Sequence, residues 1–514
     1  MANILWIDDE IDLLRAHILL LEQKGYCVST ATNGTDAIEM VRNQHFDLAF
    51  LDENMPGLSG LETLPRLKEA KPLLPVVMVT KSEEENIMDQ AVGAQIADYL
   101  IKPVNPMQVL LSIKKHLHAK DLISEKQLAD YRMEFSSIGT AISQARSMAE
   151  WMDLHRKLVS WRLKMLDASD PSVRQILEMQ QNEANTEFSK YIRNNYIEWF
   201  GKRADERPPM SPNLMRNKVF PLIDAGQKVL FVLIDNLRYD QWRAIEPLLA
   251  DDWRTETDEL YCTILPTSTQ YARNAIFAGL MPLEIQQSFP DLWVYDEEEE
   301  GKNQFEEQLL QNQLQRLGKN YTVRYSKGNT LGGQRSPNAK ELAQHQLSVV
   351  VYNFVDLMSH ARTDSAMMKQ LASDESAYLS LTRSWFQHSD LRQLLKEAAA
   401  QGLKVVITTD HGTTRVMRPV KVVGDRATSN NLRYKLGKNL NYSAKEVFEI
   451  RNPEAVHLPK PNVSSAYIFA YGDTFMAYPN NYNHFVNLYR DTFQHGGISL
   501  DEMLVPIITL SPLR

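Results

Sequence analysis

Three apolar runs in the C-terminal part of the chain each end in residue types that bind metal ions. The runs are KVVITTDHG, VLFVLIDN and SVVVYNFVDLMSH, and their candidate ligands are Asp410 with His411, Asp235, and Asp356 with His360. Apolar runs of this length are typical of buried strands. Because ligand sites in open α/β sheets gather at the carboxyl ends of strands, we expect these side chains to meet in one metal site. Metal-assisted chemistry is the leading prediction for this part of the chain.

The composition limits the classes of protein that fit. At 514 residues the chain has room for two to four domains. A net charge of −9 argues against a protein that is basic overall and binds nucleic acid through its whole surface. Cys27 and Cys262 are too few for a disulfide framework. No run of 18 apolar residues and no signal-like N-terminus occurs, so we expect a cytoplasmic protein without a membrane span.

Residues 1–119 alternate short apolar runs with amphipathic stretches, a pattern that predicts a parallel five-stranded sheet with crossover helices. Acidic or polar residues follow the predicted strands: Asp8, Asp9, Asp52, Thr80 and Lys102. Three carboxylates at neighbouring strand ends suit a hard cation such as Mg²⁺. A hydroxyl and an ammonium group beside them could hold a phosphoryl group.

The whole segment, with its motifs DD, DENMPGLSG, TK and KP, resembles the receiver domain of two-component response regulators, a flavodoxin-like, doubly wound fold. The resemblance implies that Asp52 accepts a phosphoryl group from a partner sensor histidine kinase. It further implies that Thr80 and Lys102 contact that group and that Tyr99 is the switch aromatic. The Mg²⁺ ligands would be Asp8, Asp9, Asp52 and Asn54.

Residues 120–205 carry helix-forming residues and no strand-like runs, so we predict a helical connector. Aromatic and methionine residues such as Trp151 and Trp199 recur there at near-helical spacing, which indicates core packing. The segment RADERPPMSP, rich in proline and charge, marks the next boundary. Residues 206–514 are predicted to form a larger α/β domain, in which the polar segment 418–465 contains loops that cover the site.

The segment LPTSTQYARNAIFAGLMP supplies a candidate nucleophile. We expect a strand-to-helix turn at Thr267–Thr269 and a helix that ends at Gly279. A hydroxyl at a helix N-terminus beside a divalent metal ion would be activated for attack. The alternative is that one of these hydroxyl residues only caps the helix.

Taken together, Asp at a first strand end, PTST before AGLMP, D-x-x-x-H, DHG and a late HGG resemble the alkaline phosphatase superfamily. Among its branches, the run VLIDNLRYDQW is most similar to the PglZ-domain branch. The resemblance implies two zinc ions and a phospho-threonine formed on the nucleophile and then hydrolysed. Thr269 would be this nucleophile, with Thr267 as the rival. One zinc ion would be held by Asp235, Thr269, Asp410 and His411, and the other by Asp356, His360 and His495.

The substrate class follows less directly. The PTST segment is similar to the nucleophile region of nucleotide pyrophosphatase/phosphodiesterases, which favours phosphodiesters, including (oligo)nucleotides, as substrates. The sequence argues against a sulfatase, because Cys262 lies in CTILP and lacks the required motif. Arg238 and Arg273 are candidates for substrate contacts, with surface ion pairs as the equal alternative.

The order of receiver, helical connector and PglZ-type domain resembles the PglZ-domain response regulators of the type IX secretion system. This resemblance implies phosphorylation-promoted homodimerisation and contacts with a secretion-machinery component or a sigma factor. We therefore predict a response regulator whose effector is a zinc-dependent phosphodiesterase. The alternatives are a signalling scaffold with a metal-binding docking domain and little turnover, and a phosphomonoesterase.

Overall fold

The computed structural model describes residues 2–81, 96–117, 119–166, 171–202, 207–294, 303–328, 337–364, 366–372, 374–425 and 428–513.

The chain divides into two compact units. The first contains the residues up to Asp130, and the second contains Tyr131–Leu166 and the chain from Pro171 onward. The predicted boundary at 119–120 falls at the start of the helix Ala119–Gln144. The predicted boundary at 205–206 lies outside the described residues. The division at these two positions stays a prediction.

The first unit is a parallel five-stranded sheet in the order β2-β1-β3-β4-β5. Its strands are β1 (Asn3–Ile7), β2 (Cys27–Ala31), β3 (Leu48–Asp52), β4 (Val76–Thr80) and β5 (Asp98–Ile101). Its helices are Arg15–Gln23, Gly34–Asn43, Gly60–Ala70 and Pro106–Leu117. Alternate residues of β1 enter two apolar clusters: Leu5 and Ile7 in one, and Ile4 and Trp6 in the other. Because successive strand side chains point to opposite faces, both faces of this sheet are covered, as predicted for a doubly wound fold.

The connector is helical, as predicted. It consists of the helices Ala119–Gln144, Met148–Lys164 and Pro171–Gly201. Trp151 is buried, and its ring lies 5.4 Å from that of Phe188, so this part of the aromatic stripe is core. Among the described residues, no helix is both long and apolar enough to cross a membrane.

The second unit is built on a six-stranded sheet in the order β7-β18-β10-β6-β9-β8. Its strands are β6 (Val229–Ile234), β7 (Trp253–Cys262), β8 (Val323–Lys327), β9 (Leu347–Tyr352), β10 (Lys404–Thr408) and β18 (Leu504–Pro512). β8, β9, β6 and β10 run parallel to one another, and β18 is antiparallel to both of its neighbours. Every residue of β6 and β9 is buried, as expected for central strands with both faces covered.

Helices connect and cover these strands. They are Phe220–Asp224, Tyr239–Ile245, Thr269–Ala278, Pro282–Ser288, Glu306–Arg316, Ala339–Leu342, Phe354–Asp364, Ala366–Leu371, Glu375–His388, Asp390–Ala400, Tyr482–Tyr489 and Leu500–Met503. On the helix Met148–Lys164, Arg162 bonds Asp240 at 2.7 Å and Asp501 at 2.9 Å. Two buried carboxylates on different elements therefore fix this connector helix to the α/β part of the unit.

The segment 418–465 contains strands as well as loops. It contributes the strands β12 (Arg418–Lys421), β13 (Tyr434–Gly437) and β14 (Val447–Ile450). β12 pairs with β16 (Thr474–Ala477), and β13 and β14 pair with β15 (Ala466–Ala470). β11 (Thr414–Val416) and β17 (Thr492–Gln494) form another small sheet. Strands of three or four residues are too short to show a period of two in the sequence.

Candidate active site

The main sheet of the second unit brings three of the predicted ligands to one edge. β10, β6 and β9 are parallel neighbours, so their carboxyl ends coincide. Asp235 directly follows β6, and Asp410 comes two residues after the end of β10. Asp356 lies in the first turn of the helix Phe354–Asp364, which follows β9. The parallel order of the strands therefore produces the convergence.

The first cluster is buried and contains Asp235, Asp410 and His411. One ligand atom from each lies within 4.8 Å of the others. Thr269 Oγ1 lies 3.1 Å from His411 Nε2 and 3.4 Å from Asp235 Oδ1. Thr269 is the first residue of the helix Thr269–Ala278, where the free backbone N–H groups favour negative charge.

The second cluster contains Asp356, His360 and His495, and again their ligand atoms lie within 4.8 Å of one another. His360 Nε2 is 3.4 Å from Asp356 Oδ2, and His495 Nε2 is 3.6 Å from Asp356 Oδ1. The rings of His411 and His495 stack with centroids 4.3 Å apart, so the two clusters adjoin. The His360 side chain is 55% exposed, which opens the site to solvent on this side.

Hydrogen bonds fix which ring nitrogen of two histidines is free. His411 Nδ1 is 3.1 Å from Gly412 O, and His495 Nδ1 is 3.2 Å from Thr267 O. A carbonyl oxygen only accepts, so both Nδ1 atoms must donate, and the lone pair of each Nε2 faces its cluster. This is the usual arrangement behind metal-binding histidines. Burial, with the neighbouring His411, lowers the pKa of His495 to about 3, which keeps that ring neutral.

The buried carboxylates share one guanidinium. Arg273 forms ion pairs with Asp235, with Asp410 at 2.9 Å and with Glu306 at 3.3 Å. Burial alone would raise the pKa of Asp410, but the charge of Arg273 outweighs it and lowers the pKa to about 2. Burial raises the pKa of Asp235 well above its usual value, and repulsion from Asp410 and Asp356 adds to this rise against the opposing charge of Arg273. A divalent cation would relieve this repulsion, so the residues present fit a metal site.

Neither predicted substrate-binding arginine is exposed. Arg238 and Arg273 are 0% and 1% exposed. Arg238 bonds Asp240 through two nitrogens and also pairs with Glu375 at 2.6 Å. These placements indicate that both guanidinium groups neutralise buried carboxylates; they favour neither substrate contacts nor surface ion pairs.

The structure separates the two candidate threonines. Thr267 Oγ1 donates to Gly497 O at 2.9 Å and accepts from Gly496 N at 3.0 Å, which ties it to the loop that carries His495. Thr269 instead faces the first cluster. The helix begins at Thr269 and ends at Ala278, with Gly279 at φ 61°, as the sequence predicts.

Asn236 is a site residue that the sequence analysis missed. It has φ 64°, a left-handed conformation that asparagine tolerates better than most residues. Its backbone N–H lies 3.4 Å from Asp410 Oδ1, and its Nδ2 donates to Asp356 Oδ1 at 3.2 Å. Asn236 thus touches one ligand of each cluster. An asparagine directly after a strand-terminal aspartate was the available signal.

In the first unit, the predicted acidic site also assembles. Asp8, Asp9 and Asp52 offer oxygens within 4.8 Å of one another. Lys102 Nζ lies 2.8 Å from Asp8 Oδ2 and 2.9 Å from Asp52 Oδ2. Asn54 is exposed in the loop that follows β3.

The surroundings of Asp52 favour the binding of a cation or a phosphoryl group. Burial raises its pKa, and Asp8 and Asp9 add to this effect against the opposing charge of Lys102. Its Oδ1 is buried and has no hydrogen-bond partner among the described residues, so the cluster fits a bound Mg²⁺. Thr80 is buried at the end of β4, and Tyr99 is 41% exposed on β5.

Comparison with known families agrees with this architecture. The family described as the BREX system PglZ alkaline phosphatase-like domain matches residues 214–510, more than half of the chain. The chain belongs to this PglZ family. Residues 4–114 match the response regulator receiver domain, and residues 121–200 match the PorX response regulator linker domain. The order of the three parts is therefore that of PorX-type proteins, and the predicted fold class is confirmed.

Individual relatives match shorter stretches. The alginate biosynthesis transcriptional regulatory protein AlgB of Pseudomonas syringae pv. tomato is 37% identical over 24% of this chain and 27% of its own length. AlgB of Pseudomonas aeruginosa is 31% identical over 31% of this chain and 35% of its own. The transcriptional regulatory protein ResD of Bacillus subtilis is 36% identical over 22% and 47%. The chain spans less than half the length of each of these three relatives.

Solved receiver domains also match. A response regulator receiver domain protein from Clostridium thermocellum is 30% identical over 24% of this chain and 98% of its own, with a TM-score of 0.23. One from Methanospirillum hungatei is 29% identical over 23% and 95%, also with a TM-score of 0.23. This PglZ-family chain is a two-component response regulator, and its receiver domain implies a cognate sensor kinase.

Proposed function

We propose that this response regulator is a zinc-dependent phosphodiesterase that uses Thr269 to cleave (oligo)nucleotide phosphodiesters. The observation that carries the proposal is the position of Thr269 Oγ1, 3.1 Å from His411 Nε2 at the start of a helix. A nucleophile, two adjoining ligand clusters and an opening at His360 are the parts that phosphoryl transfer requires.

The two clusters would hold two zinc ions. Asp235, Thr269, Asp410 and His411 would bind one, and Asp356, His360 and His495 the other. The mixture of imidazole and carboxylate ligands suits zinc. Bound zinc ions would supply positive charge that stabilises the attacking and leaving oxygens of an in-line displacement.

The chain's own residues perform the remaining steps. The Asp235 carboxylate lies 3.4 Å from Thr269 Oγ1 and can take the hydroxyl proton, since His411 Nε2 would be occupied by zinc. Attack by Oγ1 on phosphorus forms the Thr269 ester and breaks the bond to the leaving alcohol. Water then cleaves the phospho-threonine, which releases a phosphomonoester and restores the hydroxyl. Arg273 keeps Asp235 and Asp410 oriented throughout, because it binds an oxygen of each.

The receiver part of the proposal rests on the acidic site of the first unit. Asp52 would accept a phosphoryl group from a sensor histidine kinase, with Mg²⁺ held by Asp8, Asp9, Asp52 and Asn54. Lys102 is placed to neutralise charge there, since its Nζ already lies within 3 Å of two carboxylates. Homodimerisation on phosphorylation, action in the cytoplasm and a role in type IX secretion through a secretion-machinery component or sigma factor complete the proposal. The match to the PorX linker domain supports them.

The test combines zinc content with turnover on one purified sample. We expect about two zinc ions per chain and faster cleavage of bis-p-nitrophenyl phosphate and a short oligonucleotide than of p-nitrophenyl phosphate. Thr269→Ala should lower kcat by roughly 10³-fold or more, as is typical when a nucleophile is removed. Ser268→Ala is the matched control, because the Ser268 side chain does not cap the helix.

Other results would change the proposal. Full activity in Thr269→Ala with loss in Thr267→Ala would move the nucleophile to Thr267. Preference for the monoester would favour a phosphomonoesterase. Bound zinc without turnover, even after phosphorylation of Asp52, would favour a signalling scaffold.

A further inference from the structure

The second unit contains a cavity that lies apart from the candidate zinc ligands. It has a volume of about 450 Å³ and separates the connector helix Pro171–Gly201 from β12 and from the turn before β16. None of the ligands of either proposed zinc ion lines it. Its volume falls within the range of about 300–1,000 Å³ that is typical of small-molecule sites.

The cavity is lined by more positive than negative charge. Four cationic side chains reach it, Lys190, Arg193, Arg418 and Lys445, against the carboxylates of Glu446 and Asp473. This excess stands out because the whole chain has a net charge of −9. Overall composition therefore does not explain it.

Two of these cations are not neutralised by a carboxylate of the described residues. Arg418 already pairs with Asp473 at 2.8 Å, and Lys190 pairs with Glu187 at 2.6 Å. Arg193 and Lys445 have no ion pair with any of the described residues. A guanidinium and an ammonium group that line one cavity and are not paired with a carboxylate favour an anionic ligand, phosphate above all.

Polar groups beside the two cations add donors. The Tyr471 hydroxyl is buried and has no hydrogen-bond partner of good geometry among the described residues. Burial raises the pKa of Tyr471, and the charge of Arg193 opposes this rise, which places the guanidinium close to the phenol. Asn185 uses Oδ1 to accept from Leu500 N at 2.8 Å, so its amide nitrogen remains a donor. Because the contact with Arg193 leaves the hydroxyl without a well-aligned hydrogen bond, Tyr471 can still bond a ligand or a water in the cavity.

We propose that this cavity, between the connector helix and the effector sheet, binds a small phosphorylated molecule of about mononucleotide size. Arg193 and Lys445 hold the phosphate, and Tyr471 and Asn185 donate to its oxygens or to the attached group. The proposal does not depend on hydrolysis at the zinc clusters, because it uses none of their residues.

The test measures binding to the full chain after chelator treatment, so that zinc cannot recruit the phosphate. Isothermal titration calorimetry would compare adenosine 5′-monophosphate, inorganic phosphate and adenosine. We expect the monophosphate to bind and adenosine not to bind. Arg193→Glu with Lys445→Glu should weaken binding at least tenfold. Lys421→Glu, on the same strand as Arg418 but outside the cavity, should change it less than twofold.

The outcomes separate the possible ligands. Binding of inorganic phosphate as tight as that of the monophosphate would make the ligand phosphate itself. Tighter binding of the monophosphate would support a phosphorylated organic molecule. No binding, or binding unchanged in the double variant while circular dichroism shows it folded, would overturn the proposal. Since no hydrolysis is measured, failure here is distinct from failure of the phosphodiesterase proposal.

Discussion

The two units place acidic clusters in the same way but surround them differently. Each cluster lies at the carboxyl ends of parallel strands, and each has one basic side chain that bonds two carboxylates. In the first unit, Lys102 bonds Asp8 and Asp52 and keeps 13% of its side chain exposed. In the second, Arg273 bonds Asp235 and Asp410 and is fully buried. In both units the parallel strands bring the carboxylates together, and the neighbouring side chains determine which ion they can bind.

The two sites differ in the type of ligand atom and in how deeply their basic side chain is buried. The receiver cluster offers only oxygens, which suits Mg²⁺, whereas the second site adds three imidazoles, which suits zinc. Lys102 reaches the surface and can meet an incoming phosphoryl group. Arg273 instead bonds carboxylates that are closed to solvent, so its role is to orient and neutralise them.

The largest expected effect comes from removing the phosphoacceptor. Asp52→Asn should abolish phosphorylation by acetyl phosphate, because the amide cannot form the acyl phosphate. Zinc content and basal diester cleavage should stay within about twofold of the unchanged chain, since the two sites share no residue and effects at sites without shared partners are usually additive. Phos-tag electrophoresis, metal analysis and the diesterase assay measure these three properties.

His411→Ala is the reciprocal variant, and it should lose cleavage while keeping phosphorylation. Loss of both properties in either variant would show that the two sites do not act separately.

The next prediction compares how much the two basic side chains, Arg273 and Lys102, contribute to stability. Arg273→Met leaves Asp235, Asp410 and Glu306 without their shared cation in the interior, which should lower the unfolding free energy by about 3–5 kcal/mol. Lys102→Met should cost less than half of that, because solvent reaches its site. Native-state hydrogen exchange in chelator, followed by mass spectrometry, reports each unit through its own peptides. Equal losses of unfolding free energy in the two variants would show that the deeper burial of Arg273 does not increase its contribution to stability.

The sequence predicted those parts of the sites that follow from strand ends. Asp52, Asp235 and Asp410 were predicted as site residues because each lies at or just after the end of an apolar run. The burial of Arg238 and Arg273 was not predictable, because each has a partner far away in sequence: Glu375 is 137 residues from Arg238, and Asp410 is 137 residues from Arg273. Composition and spacing carry no sign of such a buried pair. The strands within 418–465 were missed because each has only four residues.

The smallest expected effect concerns Asn236, which touches both clusters of the second site and has no counterpart among the residues predicted for the receiver site. Asn236→Ala has two effects: it removes the side-chain contact to Asp356, and it places in the left-handed region a residue that tolerates it less well than asparagine, at a cost of up to about 1–2 kcal/mol. Asn236→Gly removes the side-chain contact without the strain. Both variants should bind zinc roughly 10–100-fold more weakly, as is typical when a residue that supports metal ligands is lost. Only the alanine variant should also unfold earlier in urea. If the glycine variant binds zinc as tightly as the unchanged chain, the amide of Asn236 does not support the ligands. Its left-handed backbone would then serve only the turn that follows β6.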